Sequence, residues 1–261
     1  MSKSIAIFVA AAMAGCIPQE ESAPVLVEKV PVPQCETETP ESRVNPCGEP
    51  LVWDFTKGKP AGGSMRKGCR TSQDGIYAVT PTNMSLASGF ALDKLWTPPG
   101  AFLFEAEFIA GKLGAPEMPG YNGILWDNLA VTYVPKRTNR GFQLEFISQK
   151  GEWTPVLWAG FSNDTSSVRG PAVRLAPGTS AKITFYYGAN GRVLWDFDGQ
   201  RKETLLSNVG PLAPSVRYKP IIGDRACSYY HPFNGTVKRI SITPCAVGSL
   251  LRHCNRNVIW L

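Results

Sequence analysis

The sequence is short of charge and of long apolar runs. Charged residues make up 18% of its 261 residues, below the usual quarter, which argues against a coiled coil. No stretch beyond the first fifteen residues approaches the roughly 18 consecutive apolar residues of a membrane-spanning helix, so the sequence predicts none. No amphipathic run of helical period is present either, which leaves β-structure as the expected fold.

Recognisable catalytic and metal-binding motifs are missing as well. The chain has no Gly-x-Ser-x-Gly nucleophile elbow and no phosphate-binding loop. It has no Cys-x-x-Cys pair, and its two histidines do not have the spacing of a zinc site. The sequence therefore favours a binding or structural protein over an enzyme.

Residues 1–15 have the organisation of an export signal. Lys3 is followed by the apolar run Ile5–Ala14, which is too short to cross a bilayer and fits a secretory signal. Met13-Ala14-Gly15-Cys16 resembles the lipobox of bacterial lipoproteins. The resemblance implies cleavage before Cys16 and acylation of its thiol, and two or more acyl chains give stable membrane attachment. The alternative is an ordinary secretory signal that contains a cysteine.

The remainder of the lipoprotein signal bears on location. Ile17 follows Cys16, whereas an Asp there commonly retains such proteins at the inner membrane, so the resemblance favours an outer-membrane protein that faces the periplasm or the cell surface. Residues 16–46 form a Pro- and Glu-rich linker. Residues 17–50 carry seven acids and two bases, whereas residues 51–261 carry 24 bases and 14 acids. A basic domain would attract anionic glycan, lipid headgroups or an acidic protein. No nucleic-acid partner is expected for an exported protein.

Residues 47–245 read as one all-β domain, followed by a C-terminal tail at 246–261. Segment 141–147 alternates, with Phe142, Leu144 and Phe146 on one face and Gln143 and Glu145 on the other. Segments 51–55, 101–110, 181–187, 193–197 and 237–243 are further strands, and roughly eleven short strands are expected in total. Together they predict an antiparallel β-sandwich or jelly roll.

Residues 181–243 resemble the C-terminal half of a laminin-G-like or concanavalin A-like jelly roll. The resemblance rests on a strand ending in the Asp198-Gly199 turn, a short strand at 221–224, and a closing Phe-Asn-Gly turn that leads into the last strand. It implies that this last strand lies beside the first. Lys238 and Arg239 stand where the family often has acids, so no shared ligand is implied.

The same resemblance directs attention to acid pairs, because glycosidases of this fold carry spaced carboxylates on one strand. Glu105 and Glu107 alternate but lack a third acid, and Asp196 and Asp198 lie at a hairpin end. Neither completes the motif. We therefore expect no catalysis, with a glycoside hydrolase that uses an unrecognised acid pair as the alternative.

Aromatic and polar residues offer a binding site for sugar rings, which pack on aromatic planes and bond to amides and carboxylates. The candidate ligand contacts are Tyr121, Trp126, Asp127, Trp153, Trp158, Asn163 and Asp164. Tryptophans of a sandwich are more often part of the core, which is the competing interpretation. Asp127, Asp164 and Asp224 are candidates for holding Ca²⁺, although no cofactor is required. The expected function is binding of a carbohydrate or another envelope protein, with a structural envelope lipoprotein as a further alternative.

Six cysteines remain once Cys16 is assigned to the lipid: Cys35, Cys47, Cys69, Cys227, Cys245 and Cys254. If segment 51–55 pairs with 237–243 in the jelly roll, Cys47 and Cys245 lie at one end of the sheet. This favours a nested set of bridges, Cys47–Cys245, Cys35–Cys254 and Cys69–Cys227. The alternative is a local set that contains Cys35–Cys47 and Cys245–Cys254.

Overall fold

The computed structural model describes residues 47–81, 83, 85–112, 121–132, 138–162, 164–226 and 230–245. The predicted signal segment, linker, C-terminal tail, Cys35, Cys227 and Cys254 lie outside the described residues. Across the part that is described, sixteen strands and one short 3₁₀ helix, Phe55–Lys57, make up the regular structure. No helix in this part has the length and apolar character needed to span a membrane.

The strands form two antiparallel sheets that pack face to face, which confirms the predicted sandwich. The first sheet contains β1 (Leu51–Asp54), β3 (Cys69–Ser72), β4 (Gly75–Ala78), β6 (Ala101–Ala110), β12 (Ser180–Tyr187), β13 (Arg192–Phe197), β14 (Gln200–Leu205) and β16 (Gly235–Cys245). The second contains β2 (Gly63–Met65), β5 (Phe90–Leu92), β7 (Tyr121–Asp127), β8 (Ala130–Thr132), β9 (Thr138–Gln149), β10 (Glu152–Ser162), β11 (Thr165–Arg169) and β15 (Ile221–Ile222).

The core is aromatic and lies between the sheets. Phe104 stacks on Phe185 of the same sheet at 5.0 Å, and Trp126 stacks on Phe142 of the second sheet at 5.5 Å. Phe108 meets Phe146 of the second sheet at 5.3 Å between ring centroids. These contacts come from alternate residues of each strand, which is why the sequence alternation predicted the inward faces correctly.

The last strand lies beside the first, as the resemblance implied. β1 pairs with β16, with Leu51 opposite Ile242 and Asp54 opposite Arg239. A bulge at Lys238 shifts the register of β16 between Val237 and Arg239. The Asp198-Gly199 turn has positive φ at both residues, 48° and 81°, which is the two-residue hairpin geometry expected for Asp-Gly.

A disulfide joins Cys47 to Cys245, in agreement with the nested pairing and against the local one. Cys69 has a buried, free thiol. The prediction of a Cys69–Cys227 bridge was therefore wrong. The pKa of the Cys69 thiol is raised to about 11 because burial disfavours the thiolate. The backbone N–H of Gly48 also donates to Pro244 O, which secures the same corner.

We call this corner and its neighbouring connections, 93–100, 188–191 and 206–220, the disulfide end of the sandwich. Connection 206–220 closes the space between the sheets here. Tyr187 donates its hydroxyl to Gly210 O at 2.6 Å. Ala213 accepts from Gly141 N and donates to Gly160 O, which bridges β9 and β10. Leu206 and Leu212 are buried in the core.

Candidate functional site

The outer face of the second sheet carries a group of polar residues on β9 and β10. Phe142, Leu144 and Phe146 point into the core, so Gln143 and Glu145 lie on the outer face. The register sets the remaining members, because residues directly opposite each other in a sheet share a face. We call this group the Glu145 face; it consists of Gln143, Glu145, Thr154, Val156 and Trp158, with Trp158 opposite Gln143 and Val156 opposite Glu145.

Two hydrogen bonds fix the carboxylate of Glu145. The indole Nε1–H of Trp158 donates to Glu145 Oε1 at 2.8 Å, and Gln143 Nε2–H donates to Oε2 at 2.8 Å. Each oxygen of the carboxyl group therefore accepts one side-chain hydrogen bond. The indole, the amide and the carboxylate are therefore held in one arrangement before any ligand arrives.

The Glu145 face is more buried than is usual for the outer surface of a sheet. Outer faces of antiparallel sandwiches are usually solvated, yet Gln143 is 6% exposed and Val156 is 4% exposed. Trp158 and Glu145 are half-buried and remain accessible. The edge strand β11 adds the exposed Ser167 and Arg169 beside them, opposite Trp158 and Val156.

Two buried aspartates organise the neighbouring edge of this sheet. Asp127 accepts from Leu129 N and Ala226 N, at 2.8 Å each. Asp224 accepts from Ser88 N, Arg225 N and His231 N, each at 2.7 Å. Desolvation raises the pKa of Asp127 to about 7 and that of Asp224 to about 6, against the lowering effect of these bonds.

Arg66 completes this cluster. Its guanidinium lies 3.4 Å from Asp224 Oδ2, donates to Arg225 O at 2.9 Å, and covers the ring of Tyr230 at 4.6 Å. These partners are backbone groups and neighbours in the fold, so the cluster positions residues 224–226, 230 and 231. It does not present its carboxylates to solvent, since Asp127 is 1% exposed and Asp224 is fully buried.

The predicted contact residues do not come together. Trp126 and Trp153 are fully buried between the sheets, which corrects their assignment as ligand contacts in favour of the core. Trp158 is the one predicted tryptophan on the Glu145 face. Asp164 lies in the β10–β11 turn and accepts from Asn208 Nδ2 at 3.0 Å, while Asn163 and the side chain of Tyr121 lie outside the described residues.

The structure also bears on the Ca²⁺ set and on the first acid pair. Asp127 and Asp224 direct both oxygens at backbone N–H groups, whereas Asp164 faces Asn208. No cluster of three or more His, Cys, Asp or Glu able to hold a metal is found among the residues that are described. Glu105 and Glu107 lie on the outer face of the first sheet, in ion pairs with Lys182 at 2.8 Å and Arg239 at 3.9 Å.

Sequence reasoning missed Gln143 and Glu145 as site residues. Their alternation with Phe142, Leu144 and Phe146 did place them outward, and this was the available signal. The sequence did not show which strand pairs with β9. Only the pairing of β9 with β10 brings Trp158 next to Glu145.

No family model and no curated protein matches the chain. Among solved structures it is similar to domain 4 of AbnA, a GH43 extracellular arabinanase from Geobacillus stearothermophilus in complex with arabinotriose. The identity is 13%, over 78% of this chain and 85% of that chain, with a TM-score of 0.42. The carbohydrate recognition domain of Emp47p is 12% identical over 75% of this chain and 95% of that chain, with a TM-score of 0.44. A Trypanosoma rangeli sialidase is 12% identical over 76% of this chain and 30% of its own, with a TM-score of 0.43. The similarity to all three is one of overall fold.

Proposed function

We propose that this chain is a lipid-anchored envelope protein whose sandwich binds a carbohydrate on the Glu145 face without chemical change. The observation that carries the proposal is the fixed arrangement of Trp158, Glu145 and Gln143 on the outer face of the second sheet. Lipid attachment at Cys16 is the second part of the proposal, and it rests on the lipobox resemblance.

The chemistry of the Glu145 face suits a sugar ring. A half-buried indole offers an apolar plane for the C–H face of a pyranose or furanose. The carboxylate and amide beside it offer the acceptors and donors that hydroxyl groups require. Arg169 and Ser167, exposed on the adjacent edge strand, add a cationic and a neutral polar contact. Three of the five residues of the face, Gln143, Glu145 and Thr154, are polar, which favours a hydroxylated ligand over a wholly apolar one.

Binding is tested with the full chain carrying Cys16→Ser, which cannot be acylated at that position, on an array of neutral and acidic glycans. We expect Trp158→Ala to weaken binding by about ten-fold or more, which corresponds to about 1.4 kcal/mol. Glu145→Gln is expected to weaken binding similarly, because the carboxylate is lost while the shape remains. Glu105→Gln is the matched control, since it makes the same change on the outer face of the other sheet.

Two results would contradict the carbohydrate proposal. One is binding that survives Trp158→Ala unchanged. The other is the absence of binding to all glycans together with recovery, by cross-linking in the producing cells, of one envelope protein. The second result would identify the chain as an interaction protein of the envelope, and loss of envelope integrity on deletion without any ligand would indicate a structural role.

A glycoside hydrolase is the second candidate, and one juxtaposition favours it. Asp127 on β7 lies opposite Gln143 on β9, and Glu145 comes two residues after Gln143 on β9. Asp127 and Glu145 are therefore diagonal neighbours on adjacent strands, and such residues lie about 7–8 Å apart. Glycosidase carboxylates are separated by about 5–10 Å. Against catalysis, both oxygens of Asp127 accept backbone N–H groups. Release of reducing sugar from envelope polysaccharides, lost in both Glu145→Gln and Asp127→Asn, would establish the hydrolase.

A further inference from the structure

Exposed apolar side chains are concentrated at the disulfide end. Eight large apolar residues are exposed among the residues described. Five of them lie at the disulfide end or directly beside it: Leu95, Val209 and Val216 in its connections, Leu205 at the end of β14 and Leu51 at the start of β1. Leu205, Val209 and Val216 are the most exposed of the eight, at 65–70%. Single exposed apolar residues are ordinary on a soluble protein, but a concentration at one end indicates a contact surface.

The other end of the sandwich provides the contrast. Its described turns at 150–151, 170–179 and 198–199 carry none of the eight. Of the remaining three, Val52 and Tyr77 lie on β1 and β4 of the first sheet, and Val79 follows β4. Val79 lies towards the end away from the disulfide, because β4 runs antiparallel to β16 with Tyr77 opposite Thr236. The exposed apolar side chains are therefore concentrated at the disulfide end, although they are not confined to it.

Connection 206–220 is the main carrier of this surface, and it is held rigidly. Fifteen residues without a strand are unusual between two strands and commonly have a function. The connection is fixed by the bonds of Gly210 and Ala213, and by Ser215 N, which donates to Thr97 Oγ1 at 3.0 Å. Val209 and Val216 are thus presented outward by a fixed backbone.

The charge of this connection selects the kind of partner. Arg217 and Lys219 are both exposed, Tyr218 lies between them, and residues 206–220 contain no Asp or Glu. Apolar side chains combined with bases and a Tyr are the composition of segments that sit at the interface of an anionic bilayer. A glycan would account for the bases but not for the exposed valines and leucine, whereas an anionic bilayer accounts for both.

The position of the chain's own anchor points to the same surface. The chain enters the sandwich at Cys47, at this end, and Cys16 lies thirty-one positions earlier in the sequence. An anchored domain meets the bilayer at a high effective concentration, so a surface with weak affinity for lipid is sufficient for docking.

We infer that the disulfide end of the sandwich docks on the lipid bilayer, with Leu205, Val209 and Val216 in the interfacial region and Arg217 and Lys219 on anionic headgroups. This inference rests on the proposed function through the lipid anchor at Cys16. Docking at this end fixes the orientation of the domain on the membrane, beyond attachment by a tether alone.

The test uses the full protein isolated from the cells that make it. It is placed in vesicles of phosphatidylethanolamine and phosphatidylglycerol at about three to one, a composition with an anionic surface. A trace of phospholipid with a photoreactive group in its acyl chain labels what lies in the interface. Trypsin then gives peptide 203–217, which contains all three of the most exposed residues, and peptide 71–94, which contains Tyr77 and Val79. We expect 203–217 to be labelled at least about five-fold more than 71–94.

Matched variants assign the label to the surface. Val209→Asp combined with Val216→Asp is expected to reduce labelling of 203–217 to the level of 71–94, whereas Val79→Asp is expected to leave it unchanged. All three side chains are exposed, so the melting temperature of each variant should equal that of the parent. Equal labelling of the two peptides in the parent, or labelling of 203–217 that survives the double substitution, would overturn the docking.

The mass of the N-terminal peptide separates the two proposals. Acyl chains on Cys16 with label confined to that N-terminal peptide would overturn the docking and leave the anchor in place. An unmodified Cys16 would overturn the anchor, and labelling of 203–217 above 71–94 would then still support an affinity of this end for lipid.

Discussion

Removal of the Cys47–Cys245 disulfide is expected to destabilise the sandwich by about 5 kcal/mol. The bridge closes a loop across 198 positions of sequence. In the chain-entropy model a loop of this length removes about 5 kcal/mol of free energy from the unfolded state at 25 °C. Domains of this size unfold at a cost of about 5–15 kcal/mol, so the loss is a large part of the total.

The folded state should change little when the bridge is absent. β1 pairs with β16 over four residues, and Gly48 N donates to Pro244 O next to the disulfide. The two ends of the domain are therefore held together by the sheet itself. The effect of the bridge is expected to come from the unfolded chain, whose freedom it restricts.

Guanidinium unfolding of the full chain measures this effect. The parent is compared with Cys47→Ser combined with Cys245→Ser, and the midpoint should fall by about 1 M, for a denaturant slope of about 5 kcal/mol/M. Cys47→Ser alone is the control and should match the double variant, because either substitution breaks the bridge. A double variant within about 1 kcal/mol of the parent would refute the entropic account, and near-ultraviolet circular dichroism of the folded variant would show whether the corner had rearranged instead.

Two further predictions concern buried groups. Burial raises the pKa of Asp127 from 3.8 to about 7 in the folded chain. Between about pH 4 and 7 the folded state therefore holds a proton that the unfolded state has released. The free energy of unfolding should fall as pH rises through this window. Asp127→Asn should reduce this slope in chemical denaturation at a series of pH values, most clearly above about pH 6, because Asp224, with its pKa raised to about 6, adds to the slope at lower pH. An unchanged slope above about pH 6 would show that another group is responsible. Gly123 has φ of +92°, and a Cβ there would lie 2.1 Å from Pro232 O. Gly199 has φ of +81° in open surroundings, so Gly199→Ala should lower the free energy of unfolding by roughly 1 kcal/mol. Gly123→Ala should lower it by well over that amount, because the clash is added to the backbone strain. Equal losses in thermal melts of the two variants would contradict the steric reason.

The extent to which sequence predicted the strands follows from their length. β9 was predicted because it alternates over several residues. β12 and β13 were predicted because the Asn190-Gly191 turn lies between them and the Asp198-Gly199 turn follows β13. The described part of the chain has sixteen strands, whereas about eleven were expected. Strands such as β2, β5 and β8 contain only three residues each, which is too few to show a period.

The site was only partly predictable for a related reason. β10 is buried almost continuously, so its sequence does not show which of Trp153 and Trp158 points inward. Its register with β9 decides this, since Trp153 lies opposite Ser148 and Trp158 lies opposite Gln143. Trp126 precedes the polar Asp127 in the sequence, which suggested an exposed side chain. In the structure its ring packs against those of Trp53, Phe104 and Phe142.

The sequence alone determined the class of fold and the inward faces of its longer strands, because alternation and turn residues act locally. Through the resemblance it favoured the pairing of Cys47 with Cys245 over a local set of bridges, and the structure decided between them. Tertiary structure decided which side chains share a surface. It placed Trp158 beside Glu145, buried Trp126 and Trp153, and collected Leu205, Val209 and Val216 at the end where the chain enters. Such neighbours are separated by many residues in sequence, and only strand register and the path of connection 206–220 bring them together.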